Sequence, residues 1–382
     1  MSGILAPQFM VIAGEASGDM LAAELVEALR TQLPQARFFG AGGERMAGTG
    51  LALLEDMTRH SVIGLWEALK RYPFFRRLMN RLVDAACERR PDVIVCVDFS
   101  GFNRRLARAI RERSRLSSWR PRIVQYVSPQ VWASRPGRAR SMARDFDLVL
   151  CLLPFEKAWY ARHAPELRVE FVGHPLVDRH GGVATEEAQG AATKTLLLLP
   201  GSRVAELSRH LPPMLDAAGR ILAARPGTPV RLVLADASMV APAQLAIARL
   251  PGLGVSIGGL SQELRQAAVA IASTGTVTLE CAYFGVPTVA IYRTSWPTYL
   301  IARCLIHVDY LAMPNLLADE ALFPELIQGA ATGERIAQAA LHLFDDTARR
   351  QALKARLADV VATLGGTGAS RRAAKAIAGL LR

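Results

Sequence analysis

Ala268-Val-Ala-Ile-Ala-Ser-Thr-Gly-Thr-Val-Thr-Leu-Glu280 decides the fold. It opens on an apolar run, Ala268–Ile271, that reads as a buried strand, and Val277 to Phe284 is compatible with a helix. Ser273, Thr274, Gly275 and Thr276 therefore fall on a strand-to-helix turn. Such a turn aims backbone N–H groups and the positive end of a helix dipole at whatever binds there. A phosphate is the guest that suits it. Glu280 comes about one helical turn further in, placed for the two hydroxyls of a ribose. Ser and Thr also begin many helices simply as caps, so taken alone the stretch leaves both readings open.

The same unit, a short apolar strand and then a helix, recurs along the chain. Phe9–Ala13, Arg37–Gly40, Val93–Val97, Ile123–Val127 and Leu148–Leu152 read as strands in the first half. Met20 to Leu33 carries helical spacing through Leu21, Leu25 and Leu29. Continuous apolar runs such as Val93–Val97 suit parallel strands covered on both faces. From Asp178 to Lys194 the sequence turns polar, small and aperiodic, as a linker does. The pattern then restarts at Thr195–Leu199, with further strands at Val230–Leu234, Gly254–Ile257, Val269–Ile271 and Thr288–Ile291. The expectation is an α/β fold of two Rossmann-like parallel-sheet domains facing a central cleft. Residues 1–180 form the first domain, 181–194 the linker, 195–345 the second domain and 346–382 a helical tail.

Composition narrows the function. A chain of 382 residues is long for one core. No apolar run approaches the ~20 residues that span a bilayer, and no basic residue precedes an apolar stretch at the start, so a cytoplasmic protein is expected. The net charge of +12 suits phosphorylated substrates or anionic lipid head groups. No nucleic-acid-binding signature accompanies it, so no nucleic acid partner is expected. The five cysteines are scattered without a Cys-x-x-Cys, which reads as reduced thiols with no zinc and no disulfide.

Several post-strand loops carry candidate chemistry. Gly14, Glu15, Ser17 and Asp19 crowd one turn after the first strand, either to meet a sugar or phosphate closely or to shape a tight turn. Asp98 ends the strand Val93–Val97, either as a general base whose pKa burial raises or as the cap of a helix from Phe102 onward. Tyr126 and Trp132, in Tyr126-Val-Ser-Pro-Gln-Val-Trp-Ala-Ser-Arg135, offer flat surfaces for a sugar or simply pack, and Arg135 offers a phosphate contact. His174 either lines a cleft or braces a hinge. Arg203, in Leu-Pro-Gly-Ser-Arg, would meet a diphosphate bidentately. With Thr274–Thr276 and Glu280 it makes a nucleotide-diphosphate site more specific than any one member. Trp66 to Arg77 mixes aromatics with cations, as an interfacial helix does, or as any amphipathic helix with a basic face does.

Taken together, these motifs resemble the lipid-A-disaccharide synthase family. The matching pieces include Ala13–Asp19, Gly40–Met46, Val62–Leu69, Asp98 with Phe102-Asn103, Tyr126–Trp132, Phe171–Pro175, Leu198–Arg203, Thr274–Glu280 and Pro314-Asn315-Leu316-Leu317. They span roughly residues 10 to 345 in the family's order. The resemblance implies a GT-B-type glycosyltransferase that moves a diacylglucosamine unit from UDP-2,3-diacylglucosamine to 2,3-diacylglucosamine 1-phosphate (lipid X), inverting the anomeric centre without metal or cofactor. It implies a peripheral enzyme on the inner face of the inner membrane. It also suggests Asn315 as a substrate-positioning residue. A homodimer is compatible with the long tail. Three positions depart from the family pattern: Gly101 stands where a second acid is common, Thr274 where Ser is usual, and Ser134 where a second Trp is expected. Two rival readings remain, another GT-B-like enzyme on a UDP-amino sugar, such as a 2-epimerase, and a non-enzymatic UDP-sugar sensor at the membrane surface.

Overall fold

The computed structural model describes residues 6–58, 72–181 and 194–381. The aromatic and cationic residues Trp66–Arg71, the matching piece Val62–Leu69 and residues 182–193 of the expected linker lie outside the described residues. The chain divides into two compact units, one of Met1–Arg179 with Leu364–Arg382, the other of His180–Thr363.

The first unit holds seven strands: β1 (Gln8–Ala13), β2 (Arg37–Gly42), β3 (Ala52–Asp56), β4 (Val93–Val97), β5 (Arg122–Tyr126), β6 (Leu148–Cys151) and β7 (Val169–Phe171). They lie in the order β3-β2-β1-β4-β5-β6-β7, and every pairing is parallel. Side chains alternate between two cores. Met10, Ile12, Ile94 and Cys96 enter one, and Phe9, Val11, Val93, Val95 and Val97 the other. All five residues of β4 are fully buried. Burial on both sides is why its sequence is apolar without alternation. Each such side chain contributes about 1.5–3 kcal/mol relative to exposure.

The second unit repeats the plan with β8 (Thr195–Leu199), β9 (Val230–Leu234), β10 (Gly254–Ile257), β11 (Ala267–Ser273), β12 (Thr288–Tyr292) and β13 (Glu325–Ile327). Their order is β10-β9-β8-β11-β12-β13, again parallel throughout. Both sheets reverse direction once, between β1 and β4 in the first and between β8 and β11 in the second. Connections on either side of a reversal leave over opposite faces, so a gap opens at the strand ends there. Among the described residues, no helix is long and apolar enough to cross a membrane.

The end of the chain departs from the expected tail. The helix Thr347–Thr363 stays with the second unit, whereas the helix Ala369–Ala378 packs on the first. The break falls at Gly365-Gly366. Ala373, Ala374 and Ile377 enter the first unit's core beside the helix Ala16–Gln32, their small side chains permitting close approach. Asp178 caps the arriving helix by accepting from the N–H groups of Gly368 and of Ala369, the latter at 2.8 Å. Arg372 donates to three backbone oxygens, those of Val172 (2.7 Å), Thr367 (2.6 Å) and Gly366 (2.7 Å). Gly173, at φ +83°, leaves room for that guanidinium: a Cβ there would lie 2.5 Å from Arg372 Nη2. Replacing Arg372 with Ala should destabilise the first unit by about 2–3 kcal/mol, the worth of charge-assisted hydrogen bonds to backbone. The check is a lower urea midpoint with unchanged far-ultraviolet circular dichroism before the transition.

Candidate active site

At the first reversal, Ala13 of β1 pairs with Val97 of β4, so the loops after them leave side by side. Asp98 and Phe99 both adopt the left-handed conformation, φ +47° and +40°. For residues with a Cβ this costs on the order of 1–2 kcal/mol each. Two buried amides hold the turn. Asn103 Nδ2 donates to the carbonyls of Asp98 (2.8 Å) and Val97 (3.2 Å). Gln125 Nε2 donates to those of Asp98 (3.1 Å) and Val127 (3.1 Å). The Asp98 N–H donates to Tyr126 O at 2.9 Å. The cap position of the helix Ser100–Ser114 is Phe99, with Asp98 one residue before it. Its side chain is half-buried. Gly18 brings the first turn of the helix Ala16–Gln32 against it, a Cβ there lying 3.7 Å from that of Asp98.

Around Asp98 the floor is aromatic. Phe99 stacks on Phe102 with centroids 5.6 Å apart, and Phe75 stands edge-on at 6.1 Å from Phe102. The Phe99 ring lies over Gly14, where a Cβ would come within 2.3 Å of it. Gly14 is thus required by the ring. Glu15 is half-buried and Ser17 exposed at the start of the helix Ala16–Gln32, which begins four residues earlier than its periodicity suggests.

Two expected ligand residues have other work. Asp19 is buried and accepts from the N–H groups of Gly43 (2.7 Å), Arg45 (3.0 Å) and Met46 (3.2 Å). It caps the short helix Glu44–Gly48, so its carboxylate is consumed by backbone. Tyr126 is fully buried in the core and gives no sugar a surface; burial raises its pKa well above the usual phenol value. Trp132 is half-buried, edge-on to Phe155 at 5.0 Å, and donates to Glu156 Oε1 at 3.0 Å. His174 accepts the Leu176 N–H at 3.1 Å and donates its own backbone N–H to Leu364 O at 2.9 Å. It therefore braces the strap to the last helix.

At the second reversal, Leu199 of β8 pairs with Ala272 of β11. This sets the loop Pro200–Arg203 beside Ser273–Thr276. Ser273 is buried and ends β11, and the Thr274 N–H is spent on Ile291 O at 3.0 Å. Gly275, at φ +132°, is the cap position of the helix Thr276–Tyr283, and no side chain caps it. Thr276 and Glu280, four residues apart, share one face of that helix. Glu280 is half-buried, with its Oε2 4.0 Å from His180 Nε2. Arg203 begins the helix Val204–Ala224 and is half-exposed, its Nη1 3.4 Å from Glu206 Oε1.

Buried polar groups pin these loops. His210 Nε2 accepts the Arg293 N–H at 3.0 Å. Its proton therefore sits on Nδ1, which donates to Pro200 O at 2.8 Å. Burial lowers its pKa and keeps it neutral. One imidazole thus ties the loop after β8 to the loop after β12. Sequence reasoning passed over it, although its spacing with Leu207, Leu211 and Met214 marks an inward helix face. Asn315 also lies inside. Its amide donates to Phe323 O (2.8 Å) and Glu325 Oε1 (2.9 Å) and accepts from the Phe323 N–H (2.8 Å). With no exposed surface, it shapes the loop and does not touch a ligand.

Glu156 offers a pH test of this scaffold. It is 2% exposed, accepts from Trp132 and from the Leu153 N–H at 3.1 Å, and burial raises its pKa to about 7. Between its ordinary value near 4.5 and about 7, the folded chain keeps a proton the unfolded chain loses. Stability therefore falls as pH rises through that window. Glu156→Gln, which cannot ionise, should gain on the natural chain by about 2–3 kcal/mol between pH 5 and pH 8. Parallel urea titrations at the two pH values read this directly.

Comparison with known proteins places this geometry. The sequence pattern of the family described as lipid-A-disaccharide synthetase matches residues 9–378. Lipid-A-disaccharide synthase of Myxococcus xanthus is 39% identical over 98% of this chain and 98% of its own. The enzyme of the same name from Alcanivorax borkumensis is also 39% identical, over 98% of both chains. Among solved structures, a putative UDP-N-acetylglucosamine 2-epimerase from Listeria monocytogenes superposes with a TM-score of 0.62 at 14% identity, covering 98% of this chain and 96% of its own. The calicheamicin glycosyltransferase gives 0.60 at 16%, covering 98% and 97%. These two share the fold, with two parallel-sheet α/β domains of the GT-B type. The chain belongs to the lipid-A-disaccharide synthase family, the glycosyltransferases that form the lipid A disaccharide.

Proposed function

We propose that the donor is UDP-2,3-diacylglucosamine, the acceptor is 2,3-diacylglucosamine 1-phosphate (lipid X), and Asp98 is the general base. The observation that carries the reading is the left-handed turn that presents Asp98 at the reversal of the first sheet. Asp98 takes the proton of the acceptor 6-hydroxyl as that oxygen attacks the anomeric carbon of the donor. The bond from that carbon to the diphosphate breaks, UDP leaves with the electron pair, and the configuration inverts. Arg203 and the N–H groups at the start of the helix Thr276–Tyr283 meet the charge that builds on the diphosphate, where preorganised donors contribute most. Ser273, Thr274 and Gly275 shape that turn, and Glu280 takes the ribose. Gly14, Glu15 and Ser17 border the acceptor, with Phe99, Phe102 and Phe75 as apolar surface for its acyl chains.

In this reading the enzyme works as a peripheral protein on the inner face of the inner membrane, consistent with a net charge of +12 and the aromatic and cationic pattern from Trp66 to Arg77. Pairing of two copies is also proposed. Its support is the helix Trp296–Leu305, which has no buried residue and exposes Trp296, Leu300 and Ile301.

Supplying both lipids and following the disaccharide by mass spectrometry tests the reaction; UDP release without disaccharide refutes the acceptor. Asp98→Asn should keep UDP affinity while turnover falls about 10²–10⁴-fold. Arg203→Ala should raise the donor KM by about 10–100-fold. Asn103→Ala, which leaves Gln125 as the one side chain gripping the Asp98 carbonyl, should lower kcat by up to about 100-fold with little change in donor KM. A normal kcat in that variant would remove the buried amide from the mechanism.

A further inference from the structure

The helix Ser100–Ser114 carries a second feature on the face it shares with the helix Arg138–Asp145. A groove of about 320 Å³ runs between them, lined by seven arginines and only two carboxylates, Glu112 and Asp145. Its two ends differ in charge balance. Toward the far end two of the cations are matched, Arg108 with Glu112 at 3.1 Å and Arg111 with Asp147, Arg111 also donating to the carbonyls of Asp145 (3.1 Å) and Pro121 (3.0 Å), while Arg115 and Arg144 have no carboxylate partner among the described residues. At the near end no cation is matched. Arg104 donates one bond, to Ser141 Oγ at 3.0 Å, while its Nε is buried without a partner. Arg105 and Arg138 line the groove with no carboxylate partner among the described residues. Partial desolvation, and after it the neighbouring Arg135, Arg104 and Arg105, lower the pKa of Arg138. The floor there is open, since nothing lies within 4 Å of a Cβ built on Gly101.

This near end adjoins the reacting centre. Gly101 lies three residues beyond Asp98, and at ~1.5 Å of rise per residue Arg104 and Arg105 stand about 6–8 Å along the helix from its start. Resting on the reading of Asp98 as base, we propose that Arg104, Arg105 and Arg138 bind the anomeric phosphate of the acceptor. The acceptor's 6-hydroxyl and its phosphate lie on opposite sides of one sugar ring. A hydroxyl held at Asp98 therefore sends the phosphate down the helix by one ring's width, into the unmatched guanidiniums. Planar guanidiniums take phosphate oxygens two at a time. The site also answers a selectivity problem. Donor and acceptor present the same acylated sugar and differ in what hangs from the anomeric carbon, so a pocket built for a compact dianion tells them apart.

Arg105 and Arg138 are exposed, so Arg105→Gln, Arg138→Gln and the double variant leave the core intact. They are assayed in neutral detergent, free of anionic lipid. The acceptor KM should rise about 10-fold in each single variant and further in the double, with donor KM and kcat held within about twofold. Independently of turnover, magnetic resonance titration with glucosamine 1-phosphate and with glucosamine should show binding that needs both the phosphate and the arginines. Unchanged acceptor KM in the double variant overturns the proposal. So does unchanged acceptor KM accompanied by lost retention on phosphatidylglycerol vesicles, which assigns the groove to lipid head groups. A natural chain that forms no disaccharide, yet binds glucosamine 1-phosphate through these arginines, refutes the reaction as written and leaves the phosphate site standing.

Discussion

A parallel strand cannot turn directly into its neighbour; the chain must cross a face of the sheet before returning. Everything in this molecule follows from that constraint being met twice. Strand order reverses once in each unit, and at each reversal two loops emerge together at the carboxyl edge. The first pair brings Gly14–Ser17 beside Asp98, the second brings Pro200–Arg203 beside Ser273–Thr276. Chemistry gathers at these edges because backbone dipoles and unclosed loops are available there and nowhere along the strands.

Polar burial then converts available loops into fixed ones. Asn103 and Gln125 grip the carbonyls around Asp98, and His210 joins the loops after β8 and β12. None of these side chains needs to meet a ligand. Each spends its hydrogen-bonding capacity on backbone that would otherwise be free to wander, and in a dry interior those bonds are costly to break. The strained pair Asp98-Phe99 persists because such groups over-determine it.

The sheets were legible in the sequence because their strands are covered on both sides and so are apolar throughout, as in Val93–Val97. The strands that escaped, Ala52–Asp56 and Glu325–Ile327, lie at sheet edges, where half-exposure admits Glu and Asp and erases the signature. Asp19 read as a ligand because acids crowd its turn; its true partners arrive from Gly43–Met46, a contact no local pattern encodes. Tyr126 was misjudged for a different reason. It shares the parity of Val124 in β5, which already points it into the core. Asn315 has the same lesson in the short helix Met313–Ala318: an amide that looks like a reader of substrate is wholly occupied by Phe323 and Glu325. Gly365-Gly366 interrupts the helical spacing of the chain's end, but no local pattern says which unit the helix on either side joins.

That division has a bearing on biosynthesis. The first unit's nearer segment leaves the ribosome complete in its strands, yet one flank of its sheet awaits Ala373, Ala374 and Ile377. Those residues emerge only after the whole second unit has been made, an interval of about 10–40 s at ordinary translation speeds. For that time an oily flank stands open on the nascent polypeptide, and chaperones have a defined surface to shield until the helix Ala369–Ala378 emerges to cover it.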